Sequence, residues 1–550
     1  MATTHDLRAV AFPKLTPEEI EKVARCTRAP LERYRDGDVL IRAGVRESKF
    51  LLVVSGQLAV LDESGDEPKT IAILGPGEFT GEVTGLTGAA SLVTIVARSE
   101  CEVSAPPASS VREIISRSPV LGDRILQAFI ARRQLLAEQE TFAGPRVIGS
   151  RHSRDMLRIR QFLAKNQVPF ATLDLEQEPA VKTLFERLGV TEAETPIVAL
   201  GRDRVFRNPS NAELAAALGI RQPLERKVYD LVVVGAGPAG LAAAVYGASE
   251  GLDTLVLERT GPGGQAGSSM RIENYLGFPT GITGGELAER ATVQAAKFGA
   301  CIPVAVTVVR LSFDSRYAVL EDDAGETTSA KCLLIASGAE YRRLEAEGCE
   351  RFEGCGVYYA ATPVEAPVCR GSVAVVVGGG NSAGQAAVYL ASIARKVYVV
   401  VRGDSLYKSM SSYLAKRIEQ TENIEVLLKT RSRRMLGEES LRAVEVVNDE
   451  TGEVRTIQTS ALFSFIGAVP RTDWLPPEIE KDEKGFVKTG IAVAQSPRWS
   501  YGRSPFLLET TRAGVFAAGD VRSGSVKRVA SAVGEGAMAV QVVHEYLRGM

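Results

Sequence analysis

Twice in the chain a run of β-branched residues breaks into glycine and then into a helix of small residues, as VVVGAGPAG at 232–240 and as VVVGGGNSAG at 375–384. A strand that turns on glycine into a helix aims backbone N–H groups at the space above the turn, an arrangement that suits a diphosphate. In the first unit Gly235 allows the tight turn, Gly237 lets the backbone approach an anion and Gly240 lets helix and sheet pack closely, with Ala236, Pro238 and Ala239 between them. Glu258 follows about 20 residues on, beside Arg259 at the tip of the next strand, where a carboxylate accepts hydrogen bonds from ribose hydroxyls. The second unit presents Gly378, Gly380, Asn381, Ser382 and Ala383, and its next strand ends in Arg402 instead of an acid. An acid there repels a 2′-phosphate, so the arginine favours NADPH over NADH; a solvated, uninvolved Arg402 is the bland alternative. The apolar run LVVVGAGPAGLAAAVYGA has the length of a membrane span, but its Gly-Ala-Gly-Pro break predicts a strand, a turn and a helix.

Around these turns lie GPGGQAGSSMRIENYLGFPTGITGGEL, LLIASGAEYRRL and ETTRAGVFAAGDVRSGSVKRVASAVGEGAMAV, which together resemble the FAD domain of thioredoxin reductases. The resemblance implies that Gly264, Gln265 and Asn274 line a flavin, that Ala336 and Gly338 contact it near a crossover, and that Gly519 and Asp520 meet its ribityl chain. Lys527, Arg528 and Val529 match the residues under the ring, where the family usually has Arg-Gln-Ala; the added positive charge favours the anionic reduced flavin. LFSFIGAVPRTDWL resembles the family's return strand through Ile466 and Gly467, so the second glycine unit is nested inside the first domain. Lys408 falls one residue out of step with the family's basic cluster. By this resemblance 228–340 and 467–550 bind FAD, 341–466 binds NADPH or, less well, NADH, and the chain is a homodimer.

The same resemblance fails at one tetrapeptide. Thioredoxin reductases carry Cys-Ala-Thr-Cys after their Tyr-Tyr stretch; here Ala360, Ala361, Thr362 and Pro363 stand in that place, and Cys369 lies too far along to substitute. The seven cysteines, at 26, 101, 301, 332, 349, 355 and 369, include no pair separated by two residues, which argues against a redox dithiol or a zinc ribbon. Glu365 falls near the family's acidic proton donor, although a carboxylate at a helix start is an equally good reading.

Upstream, LTPEEIEKVARC opens a helix that Thr16 caps, and short β-rich runs from Val39 to Val103 alternate with Gly, Asp and Ser, predicting a small antiparallel roll. GPGEFTGEVTGLTGAASLVTIVA resembles in part the phosphate cassette of cyclic-nucleotide-binding domains: Gly81 and Glu82 match its ribose-binding pair, while Ser91 and Leu92 occupy its arginine region. Loss of a charged hydrogen bond of about 1.5 to 3 kcal/mol weakens affinity about tenfold to a hundredfold. Residues 146–220 alternate strand and helix periods and resemble a thioredoxin or glutaredoxin fold, with Thr195 and Pro196 at its proline turn. Arg151, His152, Ser153 and Arg154 occupy the helix start where that family keeps its cysteines, so no thiol exchange occurs there.

The expected fold class is multidomain: a β-roll with helices at 1–140, a thioredoxin-like α/β domain at 146–220, then two nested Rossmann-type α/β domains. With a net charge of −2 and no long basic run, nucleic acid and anionic membrane are excluded as main partners, and without a basic-then-apolar start a cytoplasmic location is expected. The implied activity is an FAD-dependent NADPH oxidoreductase passing electrons straight to an external acceptor, whether a ferredoxin, a flavodoxin, a quinone or a small oxidant. Two alternatives stay open: a disulfide reductase acting on a partner's dithiol, and a cyclic-nucleotide- or redox-responsive sensor with incidental turnover.

Overall fold

The computed structural model of the chain describes residues 4–45, 49–63, 67–138, 144–176, 181, 185–186, 189–201, 204–225 and 227–549. The first glycine unit builds the centre of a six-stranded sheet in which Val228–Val234 pairs in parallel with Thr254–Leu257 on one side and Thr327–Ile335 on the other. Val515–Ala517 adds a further parallel strand from near the end of the chain. These strands read as unbroken apolar runs because both faces are covered: helices lie over Leu231, Val233, Leu334 and Phe516, and strands and loops that bring Val306, Leu311, Leu475 and Val487 lie over Val232, Val234, Leu333 and Ile335. Helix Pro238–Ser249 packs against the long closing helix Val529–Arg548. The contact is so close that a methyl on Gly536 would sit 2.1 Å from the Ala239 carbonyl oxygen.

The second unit forms a separate five-stranded parallel sheet, ordered Val357–Tyr358, Ala461–Ser464, Val373–Val377, Lys396–Val400, Ile424–Leu427. An antiparallel meander of Thr430–Gly437, Leu441–Asn448 and Val454–Gln458 covers its flank. The chain enters and leaves this sheet through one ribbon, Ala339–Tyr341 paired antiparallel with Ala468–Pro470. That ribbon falls at the edges expected for the insertion, so both crossings meet at one joint.

The amino-terminal roll consists of two four-stranded antiparallel sheets, with strand Leu31–Tyr34 and helix Glu82–Thr87 additional to the sequence reading. Helix Pro17–Thr27 starts as expected, on a capping box between Thr16 and Glu19. Helices Ser110–Arg117 and Pro119–Glu138 close the roll. In the next segment the sheet order is Ala171–Asp174, Arg146–Gly149, Ile197–Leu200, Arg204–Arg207, parallel only in the first pair. The Thr195–Pro196 peptide is cis. Strand Arg204–Arg207 escaped the sequence reading because arginines at both ends of RVFR leave two apolar residues, too few to show a period. The helix expected at 180–189 lies mostly outside the described residues. No helix among the described residues is long and apolar enough to cross a membrane.

Candidate functional site

The two glycine-turn sheets, the ribbon and helix Arg154–Lys165 surround a cleft of about 1090 Å³. Its floor is the first turn. Gly235 has φ +105°, and a side chain there would meet the Ala336 carbonyl oxygen at 2.4 Å; a methyl on Gly240 would lie 1.8 Å from the Gly235 oxygen. Gly237 is different: the nearest atom to a methyl would be 3.9 Å away, so its backbone faces open cleft. Ala236 and Gly240 lie behind the wall, and Gly237, Pro238 and Ala239 on it. Glu258 reaches the cleft, but its carboxylate also accepts hydrogen bonds from the backbone N–H of Ala236 at 2.8 Å, Thr260 at 2.9 Å and Gly261 at 3.2 Å. It clamps the glycine turn to the strand tip and keeps acceptor capacity for a hydroxyl.

Gly264, Gln265 and Asn274 line one side, and the Gln265 amide donates to the Ala339 carbonyl. Ala336 and Gly338 line the crossover, and Gly519, Asp520, Lys527, Arg528 and Val529 the head of the closing helix. Burial pushes the Asp520 carboxyl up, opposed by Lys527. The Lys527 ammonium donates to the Asp520 carbonyl and lies 4.4 Å from the Phe486 ring centre. Arg259 faces the cleft and pairs with Glu340 at 2.7 Å.

From the second unit Asn381 and Ser382 reach the cleft, while Gly378, Gly380 and Ala383 build the turn behind it. Ile466 and Gly467 lead into the ribbon. Arg402 is exposed at the end of strand Lys396–Val400, away from the cleft wall, with no ion pair among the described residues. Lys408 is held by Asp404 at 2.7 Å, so its charge is answered within its own loop.

The loop from Tyr359 to Glu365 forms the wall opposite the flavin-type segments, and no cysteine lines the cleft among the described residues. All seven cysteines are free. Cys369 is fully buried, donates to the Ala366 carbonyl at 3.2 Å and has its thiol pushed up to about 11 by burial. Glu365 lies on this wall, at the start of the short helix Ala366–Cys369. Its side chain is 1% exposed, and its carboxylate accepts from the Thr362 N–H at 2.8 Å, the Thr362 hydroxyl at 2.5 Å and the Gln161 amide at 2.8 Å.

In the roll, Gly81, Ser91 and Leu92 line a separate cavity of about 90 Å³ that Val168, Leu218 and Ile220 of the next segment help close. It is far below the roughly 300 Å³ at which ligand pockets begin. Glu82 departs from expectation. It does not line the cavity; it pairs at 2.7 Å with Arg132, and both side chains are buried.

A protein-family model described as pyridine nucleotide-disulphide oxidoreductase matches residues 229–536, more than half of the chain. The chain belongs to that family. A second model, described as cyclic nucleotide-binding domain, matches residues 31–118. Thioredoxin reductase of Bacillus subtilis (strain 168) is 33% identical over 325 residues, 59% of this chain and 96% of the relative. The 34.2 kDa protein in rubredoxin operon of Clostridium pasteurianum is 33% identical over 327 residues, 59% of this chain and 99% of the relative. Among solved structures, Lactococcus lactis thioredoxin reductase in its FR conformation aligns with a TM-score of 0.53 at 29% identity, covering 58% of this chain and 100% of that one.

As a pyridine nucleotide-disulphide oxidoreductase of thioredoxin reductase type, the chain is an FAD-dependent enzyme that uses a nicotinamide dinucleotide. The cleft suits such groups: its glycine cradle is open at Gly237, where a backbone can approach a diphosphate. Of the residues that sequence reasoning missed, some, such as Tyr341, Arg471 and Trp474, lie inside the family match, and others come from outside it. Arg154, Arg158, Gln161 and Lys165 line the cleft from helix Arg154–Lys165, whose Met156, Ile159, Phe162 and Leu163 are buried in its own segment's core. The signal was present as an amphipathic helix with a polar face, but a polar face ordinarily means water.

Proposed function

We propose that this chain is an NADPH-fed flavoprotein reductase whose electrons leave bound FAD directly for an acceptor outside the polypeptide. One observation carries the reading: the loop at 360–363 stands where thioredoxin reductases keep Cys-Ala-Thr-Cys, and no sulfur faces the cleft among the described residues. Bound FAD supplies chemistry that side chains lack, accepting a hydride from a nicotinamide and releasing electrons singly or in pairs. The chain binds and orients. The amino end of helix Pro238–Ser249 offers N–H groups to the diphosphate, Glu258 accepts from ribose and Asp520 meets the ribityl chain. Arg528 brings positive charge to the pyrimidine edge. Asn381 and Ser382 take the nicotinamide dinucleotide, and Arg402 reads its 2′-phosphate, which makes NADPH the donor. On this reading 228–340 with 467–550 holds FAD, and 341–466 holds NADPH.

Residues 146–220 are read as a thioredoxin-like domain, supported by their sheet order and first helix, that docks without thiols. The roll, lacking an arginine at Ser91 and Leu92, is a weak cyclic-nucleotide site at most. Acceptors of the ferredoxin, flavodoxin, quinone and small-oxidant classes all suit the reading. Anaerobic NADPH titration tests it: two electrons per FAD are expected, and uptake of four demands a second redox centre and overturns it. No NADPH oxidation with any acceptor class, together with a ligand-dependent change of oligomer, moves the assignment to a sensor.

A further inference from the structure

Helix Arg154–Lys165 belongs to neither glycine-turn sheet, yet its carboxyl end is set against the loop that follows Glu258. The Asn166 amide donates to the Thr260 carbonyl at 2.8 Å, and a methyl on Gly261 would lie 2.9 Å from the Lys165 Cβ. Lys165 therefore enters the cleft beside the ribose-facing carboxylate, from a segment outside the residues that match the family. Its ammonium has three donors and, among the described residues, no hydrogen bond or ion pair. The carboxylates near it are engaged elsewhere. Glu258 accepts from three backbone N–H groups, Glu340 pairs with Arg259 and Arg471, and Glu365 is held by Thr362 and Gln161. The protein packed around it pulls the Lys165 pKa down, against the pull of Glu258, while the side chain stays open to the cleft.

We propose that Lys165 is a ligand of the adenosine half of bound FAD, so that segment 146–220 completes the dinucleotide site. The acceptors it lacks are those an adenosine diphosphate presents there: ribose oxygens, ring nitrogens and diphosphate oxygens. Asn166 positions it, and the anchored loop at 259–261 fixes how far the ammonium enters. The inference rests on the cleft being the FAD site.

The test is FAD binding to the full-length apoprotein, read by quenching of flavin fluorescence, for wild type, Lys165→Met and Lys165→Arg. Removing a charged hydrogen bond is expected to raise the Kd about tenfold or more in the Met variant, while Arg recovers most of it. A second measurement needs no variant: acetylation of lysines in the wild-type apoprotein, quantified at Lys165 by peptide mass spectrometry, is expected to fall on adding FAD. Wild-type affinity in the Met variant, or equal labelling with and without FAD, overturns the assignment of Lys165 alone. A wild-type apoprotein that takes up no FAD overturns the reading of the cleft as well.

Discussion

At the scale of single residues, Arg402 stands in solvent at a strand tip with no ion pair among the described residues, free to meet a phosphate. Substituting Arg402→Ala is expected to raise the KM for NADPH about tenfold to a hundredfold, the worth of one charged hydrogen bond, and to leave the KM for NADH unchanged. Steady-state kinetics with both nucleotides measures it, and an unchanged NADPH preference removes the assignment. The thiols make a second residue-scale case. Burial pushes Cys301, Cys349 and Cys369 each up to about 11, against about 8.5 for a free thiol. An acid held neutral by the fold lends stability that is complete below its unfolded pKa and lost as pH rises through the folded one. The chain is therefore expected to lose stability between about pH 8.5 and 11, read as a falling thermal midpoint. Alkylation of these three thiols in the native protein at pH 8 is expected to be slow, measured by mass spectrometry.

Among the elements, the first glycine turn and helix Pro238–Ser249 are fixed by clearances that admit no side chain. Gly240→Ala would place a methyl 1.8 Å from the Gly235 oxygen, so the helix has to move off the sheet. Overpacking of this kind costs about 1 to 3 kcal/mol, and the displaced helix end no longer addresses a diphosphate. A lower thermal midpoint and loss of yellow colour are expected; a variant that keeps its FAD contradicts the packing role. The turn was legible from sequence because glycine is the only residue with its steric freedom and the flanking periods are local. The distant partners of Glu82 and Glu365 were not legible. Each matched a family position, and Glu365 has the local Thr362 bonds that a helix-start carboxylate allows, but the structure also brings Arg132 to Glu82, fifty residues along the chain, and Gln161 to Glu365, more than two hundred residues away. A carboxylate goes to whichever donor the tertiary packing brings near, and no local pattern announces that donor.

For the whole molecule, helix Arg154–Lys165 touches both nucleotide-type sheets at once: Asn166 meets Thr260 beside the first, Gln161 meets Glu365 and Arg154 meets the Glu350 carbonyl beside the second. It spans the joint made by the ribbon at 339–341 and 468–470. The double variant Arg154→Ala with Gln161→Ala is expected to raise amide hydrogen exchange at 350–354 and 362–365, since two of these ties are lost there; unchanged exchange means the helix is carried passively. The sequence by itself determined the two glycine units, their nesting, the roll before them and the absence of a cysteine pair at 360–363, because backbone sterics, residue periods and the identity of a side chain are local properties. Only the tertiary structure decided that a helix from the intervening segment walls the cleft with Lys165 and Gln161, that Glu82 is sealed against Arg132, and that the roll's cavity is closed by its neighbour. Those outcomes depend on how separately folded pieces dock, where contacts between residues far apart in the chain are chosen by shape and by the need to pair each buried charge.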